Sequence, residues 1–255
     1  MPVRIGTAGW AIPRLHACHF PGEGSQLERY AQVLPVVEIN STFKHEHRPD
    51  TFTRWAHSTP DGFRFSLKLP KTITHEHRLR ASRKLLVDFL AGARLLGIKL
   101  GPILVQLPPS LTFEPEVANR FFRMLRGEHP GAVVCEPRND SWFTDRAQAC
   151  LMRNQVGRVA ADPPIPPGAE LPGGWEGLTY YRLHGAPRKY FSAYTAEYIA
   201  DLARRITGEG EVWCIFDNTA HGAAAGDAMK LIDAIPGTVR PAFYRPARYA
   251  RVSSA

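Results

Sequence analysis

The hydrophobic pattern of this chain switches repeatedly between two periods. Short runs of β-branched and other apolar residues, in which side chains alternate with a period of two, begin at Val3 (VRIGTAG), Val36 (VVEIN), Phe63 (FRFSLKLP), Leu100 (LGPILVQLP), Ala132 (AVVCEPR), Arg158 (RVAAD), Leu178 (LTYYRLHG) and Val212 (VWCIFDNT). These eight runs predict strands. Between them the apolar positions take helical spacing. Ser25–Leu34 places Leu27, Tyr30, Ala31 and Leu34 on one face, and Pro49–Ala56 opens with Pro-Asp, a common helix start. Ser82–Leu96 carries an apolar stripe ended by Gly97, and Glu114–Leu125, Phe143–Met152, Thr195–Ile206 and Ala223–Ile235 follow the same spacing.

Strand and helix therefore alternate from end to end, which predicts an α/β architecture with parallel strands. Eight strands in 255 residues fit a (β/α)8 barrel. The polar strand ends are also spread along the whole chain, whereas an open doubly wound sheet gathers its site at one switch point. The expectation is a single-domain, parallel, eight-stranded TIM barrel over residues 1–245, followed by a basic C-terminal tail over 246–255. The segment after Asp162, PPIPPGAELPGGWEG, is too rich in proline and glycine to hold a helix, so the sixth crossover is expected to be irregular. Ala11–Gly24 and Lys44–Arg48 look like further insertions near the same rim.

Composition narrows the setting. Cys18, Cys135, Cys150 and Cys214 form no Cys-x-x-Cys pair, and two of them fall inside predicted strands, which argues for a reducing cytoplasm rather than a disulfide framework. No apolar run approaches the roughly 18 residues of a membrane span. The opening MPVRIGTAGW enters a strand at once and lacks the regions of a signal peptide. The net charge of +8, densest at Arg78–Lys84 and Arg240–Arg251, favours anionic partners, either a small molecule or nucleic acid. A merely solubilising basic surface explains the same charge.

The chemistry gathers at strand C-termini, which in a closed barrel meet at one mouth. Glu38, Glu136, Asp162 and Asp217 are carboxylates in positions that disfavour them unless paired or used. Glu136 and His184, with Lys68, are the candidates for acid–base chemistry. Arg182 and His184 alternate along one strand, so both face the same side. Asn40 and Gln106 suit the orientation of a polar substrate, and Arg138 and Arg182 suit an anion. Trp142, Asp162, Tyr190, Asn218 and Glu38 complete the candidate binding set. Ion pairs that merely brace the rim are the plain alternative. Glu38, Glu136, Asp162, His184 and Asp217 could alternatively hold a divalent metal. The tetrapeptide His-Glu-His-Arg occurs twice, at His45–Arg48 and His75–Arg78, and its His-x-His spacing also suits a transition metal. No nucleotide-cofactor motif is present: there is no Gly-x-Gly-x-x-Gly after a strand and no P-loop.

Seven ordered blocks, GTAGW, VEINSTF, RFSLKLPKTITHE, LGPILVQLPPS, CEPRNDSWF, YYRLHG and FDNTAHGAA, resemble the DUF72 (YecE-like) family over nearly the whole chain. The resemblance implies a TIM barrel but supplies no established reaction. Its characteristic positions fall here on Glu38, Asn40, Thr42, Lys68, His75, Gln106, Glu136, Arg138, Trp142, Arg182, His184, Asn218 and Thr219. Two departures stand out. Lys44 replaces the tyrosine that many members carry, and Asp217 stands where members often have asparagine, which lowers the weight of Asp217 and of the first His-Glu-His-Arg copy. The leading functional expectation is an enzyme of hydrolase, lyase or isomerase type acting on a small or terminal anionic substrate through Glu136 and His184. A metal-dependent phosphodiesterase or nuclease, and a non-catalytic nucleic-acid or nucleotide-binding barrel, are the alternatives.

Overall fold

The computed structural model describes residues 2–206, 210–241 and 244. The expected strands form one sheet that curls into a barrel. They are β1 (Val3–Ala8), β2 (Val36–Ile39), β3 (Arg64–Lys68), β4 (Leu100–Gln106), β5 (Val133–Glu136), β6 (Val156–Arg158), β7 (Ala160–Asp162), β8 (Gly173–Gly174), β9 (Leu178–Leu183) and β10 (Glu211–Phe216). The order is β7-β9-β10-β1-β2-β3-β4-β5-β6-β8, parallel except for β8. The sequence predicts eight strands; the structure has ten segments for a local reason. The sixth strand breaks at Val159: its first half pairs with β5 and its second half with β9. One bent segment thus joins the two sides of the cylinder. The opening beside its first half is filled by β8, drawn from the Pro/Gly-rich crossover. Gly174 has φ of +69°, and a Cβ there would lie 2.4 Å from the Val156 carbonyl oxygen, so glycine is required.

Among the described residues six α-helices lie between the strands and a seventh follows β10: α1 (Gln26–Ala31), α2 (Pro49–His57), α3 (Arg83–Ala93), α4 (Pro115–Glu128), α5 (Asp145–Arg153), α6 (Ala196–Arg205) and α7 (Ala223–Ala234). Their starts follow local chemistry. Ser25 and Glu28 form a reciprocal capping box on α1, and α2 and α4 open on proline. α3 ends before the predicted Leu96, because the chain tightens into a 3₁₀ turn and Gly97 adopts φ of +56°. The crossover from Asp162 to Leu178 contains no helix, as its proline content predicts. The tail over 246–255 lies outside the described residues.

Period-two alternation divides the strands cleanly. Val37, Ile39, Phe65, Leu67, Ile103, Val105, Val133, Cys135, Leu183, Cys214 and Phe216 pack in the large cluster beneath the helices. Val36, Leu104, Val134, Val159, Leu178, Tyr180, Trp213 and Ile215 fill the lumen. The same parity carries Glu38, Ser66, Lys68, Gln106, Glu136, Arg182, His184 and Asp217 to the lumen, one or two layers above that apolar plug. Close approach of strands at this level is possible because Gly6 has no Cβ: one would fall 2.0 Å from the Val36 carbonyl oxygen.

Candidate active site

Arg182 is the centre of the mouth floor, only 1% exposed. Its Nε and Nη2 donate to the two oxygens of Glu38 at 3.0 and 2.6 Å. Nη1 donates to Glu136, and Nη2 also reaches Asp217 at 3.3 Å. Three carboxylates from β2, β5 and the end of β10 thus converge on one guanidinium. Burial works against the Arg182 charge, but Glu38, Glu136 and Asp217 outweigh it and raise its pKa well above the ordinary value. Tyr180, one layer below, donates to Glu38 at 2.9 Å, and Ser66 beside it donates to the Pro102 carbonyl.

Glu136 is held twice. Arg138 donates from Nε to its Oε1 at 2.8 Å, while Arg182 takes Oε2. Burial pushes the Glu136 carboxyl up, yet Arg182, Arg138 and His184 outweigh burial and hold it well below the usual range. Asp217 behaves alike: burial raises it, and Arg182 with His184 bring it down. Both carboxylates therefore stay ionised at neutral pH.

His184 is also 1% exposed. Its Nδ1 lies 2.9 Å from Asp217 Oδ2. An ionised carboxylate only accepts, so Nδ1 carries a hydrogen. Nε2 is buried with no hydrogen-bond partner and sits 3.5 Å from Glu136 Oε1, beyond a good hydrogen bond. Asp217 thus orients the imidazole and leaves Nε2 as the open atom. Tyr190 covers the ring edge-on at 5.6 Å between centroids. Its own backbone is held at φ of +70°, a costly conformation for a bulky residue, by hydrogen bonds from Tyr190 N to the His184 carbonyl and from Ala220 N to the Tyr190 carbonyl.

Cations ring this floor. Lys68 is largely buried, with Nζ 3.9 Å above the Phe43 ring centroid. Burial and repulsion from Arg182 lower its pKa to about 8, against an opposing pull from Glu136 and Glu38. Lys189 is half-buried, and its pKa is lowered by burial and then by Arg138. Neither lysine forms an ion pair among the described residues. The reason is occupancy: the floor carboxylates are already engaged by Arg182 and Arg138. His75 packs edge-on to Phe43 at 4.9 Å and is lowered by burial and by Lys68.

The sequence candidates divide accordingly. Glu38, Lys68, Glu136, Arg138, Arg182, His184 and Asp217 come together, and Tyr190 borders them. Asn40 stands at the end of β2 with a buried amide oxygen that has no partner, while Gln106, level with Glu136, donates to the Leu107 carbonyl. Three candidates are held elsewhere. Asp162 is in register with Leu183 on the outer face and accepts from Tyr194 at 2.8 Å. Trp142 is 1% exposed, donates to the Leu111 carbonyl and packs on Phe113 and Phe122. Asn218 ties the Ser192 carbonyl to Asp227 on α7. The metal expectation also meets a physical obstacle. The point where Glu38, Glu136 and Asp217 converge is filled by a guanidinium, and among the described residues no three His, Cys, Asp or Glu side chains surround an open position. The two His-Glu-His-Arg copies diverge: His47 bonds Ser41 and packs on Trp55, whereas His75 lies beside Phe43 and Lys68. The basic run Arg78–Lys84 is largely spent in local contacts, with Arg80, Arg83 and Lys84 paired to Glu114, Glu128 and Asp88. Sequence reasoning missed Lys189 and Tyr180. Tyr180 shares the parity of Arg182 and was legible from it; Lys189 sits in an irregular loop with no periodic signal.

The family model described as "Protein of unknown function DUF72" matches residues 4–248. The UPF0759 protein YecE of Escherichia coli K12 is 34% identical over 113 residues, which cover 44% of this chain and 39% of YecE, so the match spans well under half the length of that relative. The UPF0759 protein YunF of Bacillus subtilis is 23% identical over 91% of this chain and 94% of its own. Crystal structures of DUF72 family proteins from Enterococcus faecalis V583 and Thermotoga maritima superpose with TM-scores of 0.77 and 0.72, at 23% and 22% identity. Each covers 91% of this chain, and 95% and 98% of the other. These similarities show the fold. No helix among the described residues is long and apolar enough to cross a membrane.

Proposed function

We propose a function for this site from one premise: the chain belongs to the DUF72 family, whose description assigns no activity, so the chemistry rests on the residues themselves. The reading is an enzyme that binds a small or terminal anionic substrate at the barrel mouth and moves a proton on it through His184. The observation that carries it is His184 itself. Its Nδ1 is fixed by Asp217, and its Nε2 is buried without a hydrogen-bond partner, 3.5 Å from Glu136 Oε1, in a site that also holds the unpaired Lys68 and Lys189. An orphaned polar atom in that position is costly unless a ligand completes it.

The division of labour differs from the sequence expectation at Glu136, Arg182 and Lys68. Glu136 is neutralised by two arginines, so it is a poor proton acceptor and serves to position Arg138 and to face His184. Arg182 is fully engaged by carboxylates, so the substrate anion falls to Lys189 and the outer edge of Arg138, with Lys68 beside them. Asp217 orients His184 as a hydrogen-bonded carboxylate orients a general base. Tyr190 shields the imidazole from bulk water. Lyase and isomerase steps, which need one proton moved beside an anionic group, use this inventory most directly.

The test is turnover across a panel of small carboxylate and phosphate metabolites. His184→Asn should remove at least about 100-fold of the rate found, the usual range for a general acid or base, and Asp217→Asn should lower it less. Turnover unchanged in His184→Asn would end this reading.

A further inference from the structure

Lys68 is the more deeply buried of the two lysines at this mouth, and its surroundings suit a covalent role. Its backbone is clamped, because Thr42 Oγ1 donates to the Lys68 carbonyl at 2.7 Å and to the Ile39 carbonyl at 3.0 Å, tying the ends of β3 and β2 together. Its side chain enters the lumen by strand parity, in register with Leu104. The carboxylates that could pair with it, Glu38 and Glu136, are occupied by Arg182, Tyr180 and Arg138. What remains against the amine is the face of Phe43, a cation–π contact that positions the nitrogen but supplies no carboxylate to hold its proton.

We infer that Lys68 is a nucleophile that forms an imine with an aldehyde or ketone carrying an anionic group. The inference rests on the anion-binding reading above and narrows its substrate class to carbonyl compounds. An amine that is buried, without an ion pair and close to other cations loses its proton more readily and then attacks carbonyl carbon. Here burial and Arg182 bring the amine to about 8, so a usable neutral fraction exists near neutral pH. The Lys68 nitrogen pair forms a bond to the carbonyl carbon while the carbonyl π pair moves to oxygen. That oxygen then departs as water, carrying the two protons given up by nitrogen. The products are the imine and water, and no oxidant or reductant takes part. Arg138 and Lys189 would hold the anionic end, which fixes the carbonyl rather than the carboxylate or phosphate against Lys68.

The experiment uses the full chain with glyoxylate as probe and borohydride to reduce any imine to a stable amine, with modified lysines located by peptide mass spectrometry. Lys68 should be labelled faster than the exposed Lys44 and Lys84 by about tenfold or more, because burial favours its neutral form. Propionaldehyde, which lacks an anionic group, should show a smaller preference. Labelling of Lys68 no faster than Lys44 and Lys84 overturns the imine. Acetate, an anion without an aldehyde, separates the two ideas through the His184 imidazole resonances in the same protein. If acetate moves those resonances while Lys68 stays unlabelled, only the imine fails; if neither happens, the anion site fails as well. Because the label is mapped in the unmodified sequence, the result does not depend on a variant that folds.

Discussion

Arg182 grips both oxygens of Glu38, from Nε at 3.0 Å and from Nη2 at 2.6 Å, across 144 residues of sequence. That fork-to-fork pair is almost fully buried, and the same guanidinium also neutralises Glu136 and Asp217. Removing one member of a buried cluster leaves the others uncompensated. Arg182→Met should therefore destabilise the fold by about 3–5 kcal/mol, read from chemical denaturation at pH 7. Arg182→Lys should recover only part of the loss, because an ammonium cannot make the bidentate contact.

Acid should erode the same cluster. Glu136 and Asp217 have folded-state pKa values below their ordinary ones. Groups shifted down contribute stability that is present above the unfolded-state pKa and is lost as pH falls through the folded-state pKa. Wild-type stability should thus drop steadily once pH passes below the ordinary carboxylate range, while at neutral pH the contribution is complete. The penalty of Arg182→Met should shrink over that same acid range. A penalty constant from pH 7 to pH 3 would contradict the assignment.

Lys68 gives the same direction of slope in a more alkaline window, but starts from a cost rather than a gain. Its folded-state pKa of about 8 lies below its ordinary value, so the unfolded chain binds more protons between the two. Stability attributable to this residue should rise as pH climbs from about 8 toward the ordinary lysine range, with the cost of burying the ammonium complete below that window. Lys68→Met should be more stable than wild type at pH 7, and the advantage should fade at pH 10. Paired denaturation curves at the two pH values check this.

The loop after β9 should be sensitive at Gly185. Its φ is +89°, and a Cβ there would lie 2.6 Å from the Ser192 carbonyl oxygen and 2.9 Å from the Asn218 Cβ. Gly185→Ala should cost more than about 1 kcal/mol, since an incompatible backbone exceeds the usual entropic gain. It should also displace Lys189 and Tyr190 and so weaken anion binding, which calorimetric titration would read. Trp142→Phe offers the contrast: it should lower stability through the lost indole contact and packing, with anion affinity unchanged.

Much of this was written in the strand pattern. Positions 36 and 38, 66 and 68, 104 and 106, 134 and 136, 180 to 184 and 213 to 217 alternate on one face, so the lumen set followed once the strands were placed. Asp162 looks like its neighbours at strand ends, but alternation from the lumen-facing Val159 puts it opposite Leu183 on the helix side, a parity the sequence already carried. What the sequence could not show is contact between distant segments. Trp142 reads as a rim aromatic until Phe113, Phe122 and the Leu111 carbonyl, all from another segment, enclose it. The ten-segment sheet likewise arises from β8, whose two glycines carry no hydrophobic signal. Asp217, given less weight because related sequences often differ there, became central when its distance to His184 was known.

The account depends on His184 Nε2 being the open atom of an anion site. Imidazole nitrogen NMR of the full chain, titrated with a series of small carboxylates and phosphates, tests this most directly. The predicted result is a saturable shift of the His184 Nε2 resonance that is lost in Lys189→Gln, while the Nδ1 resonance keeps its hydrogen-bonded position against Asp217. A His184 signal unmoved by every anion in the series, in protein whose exposed histidines do respond, would contradict it.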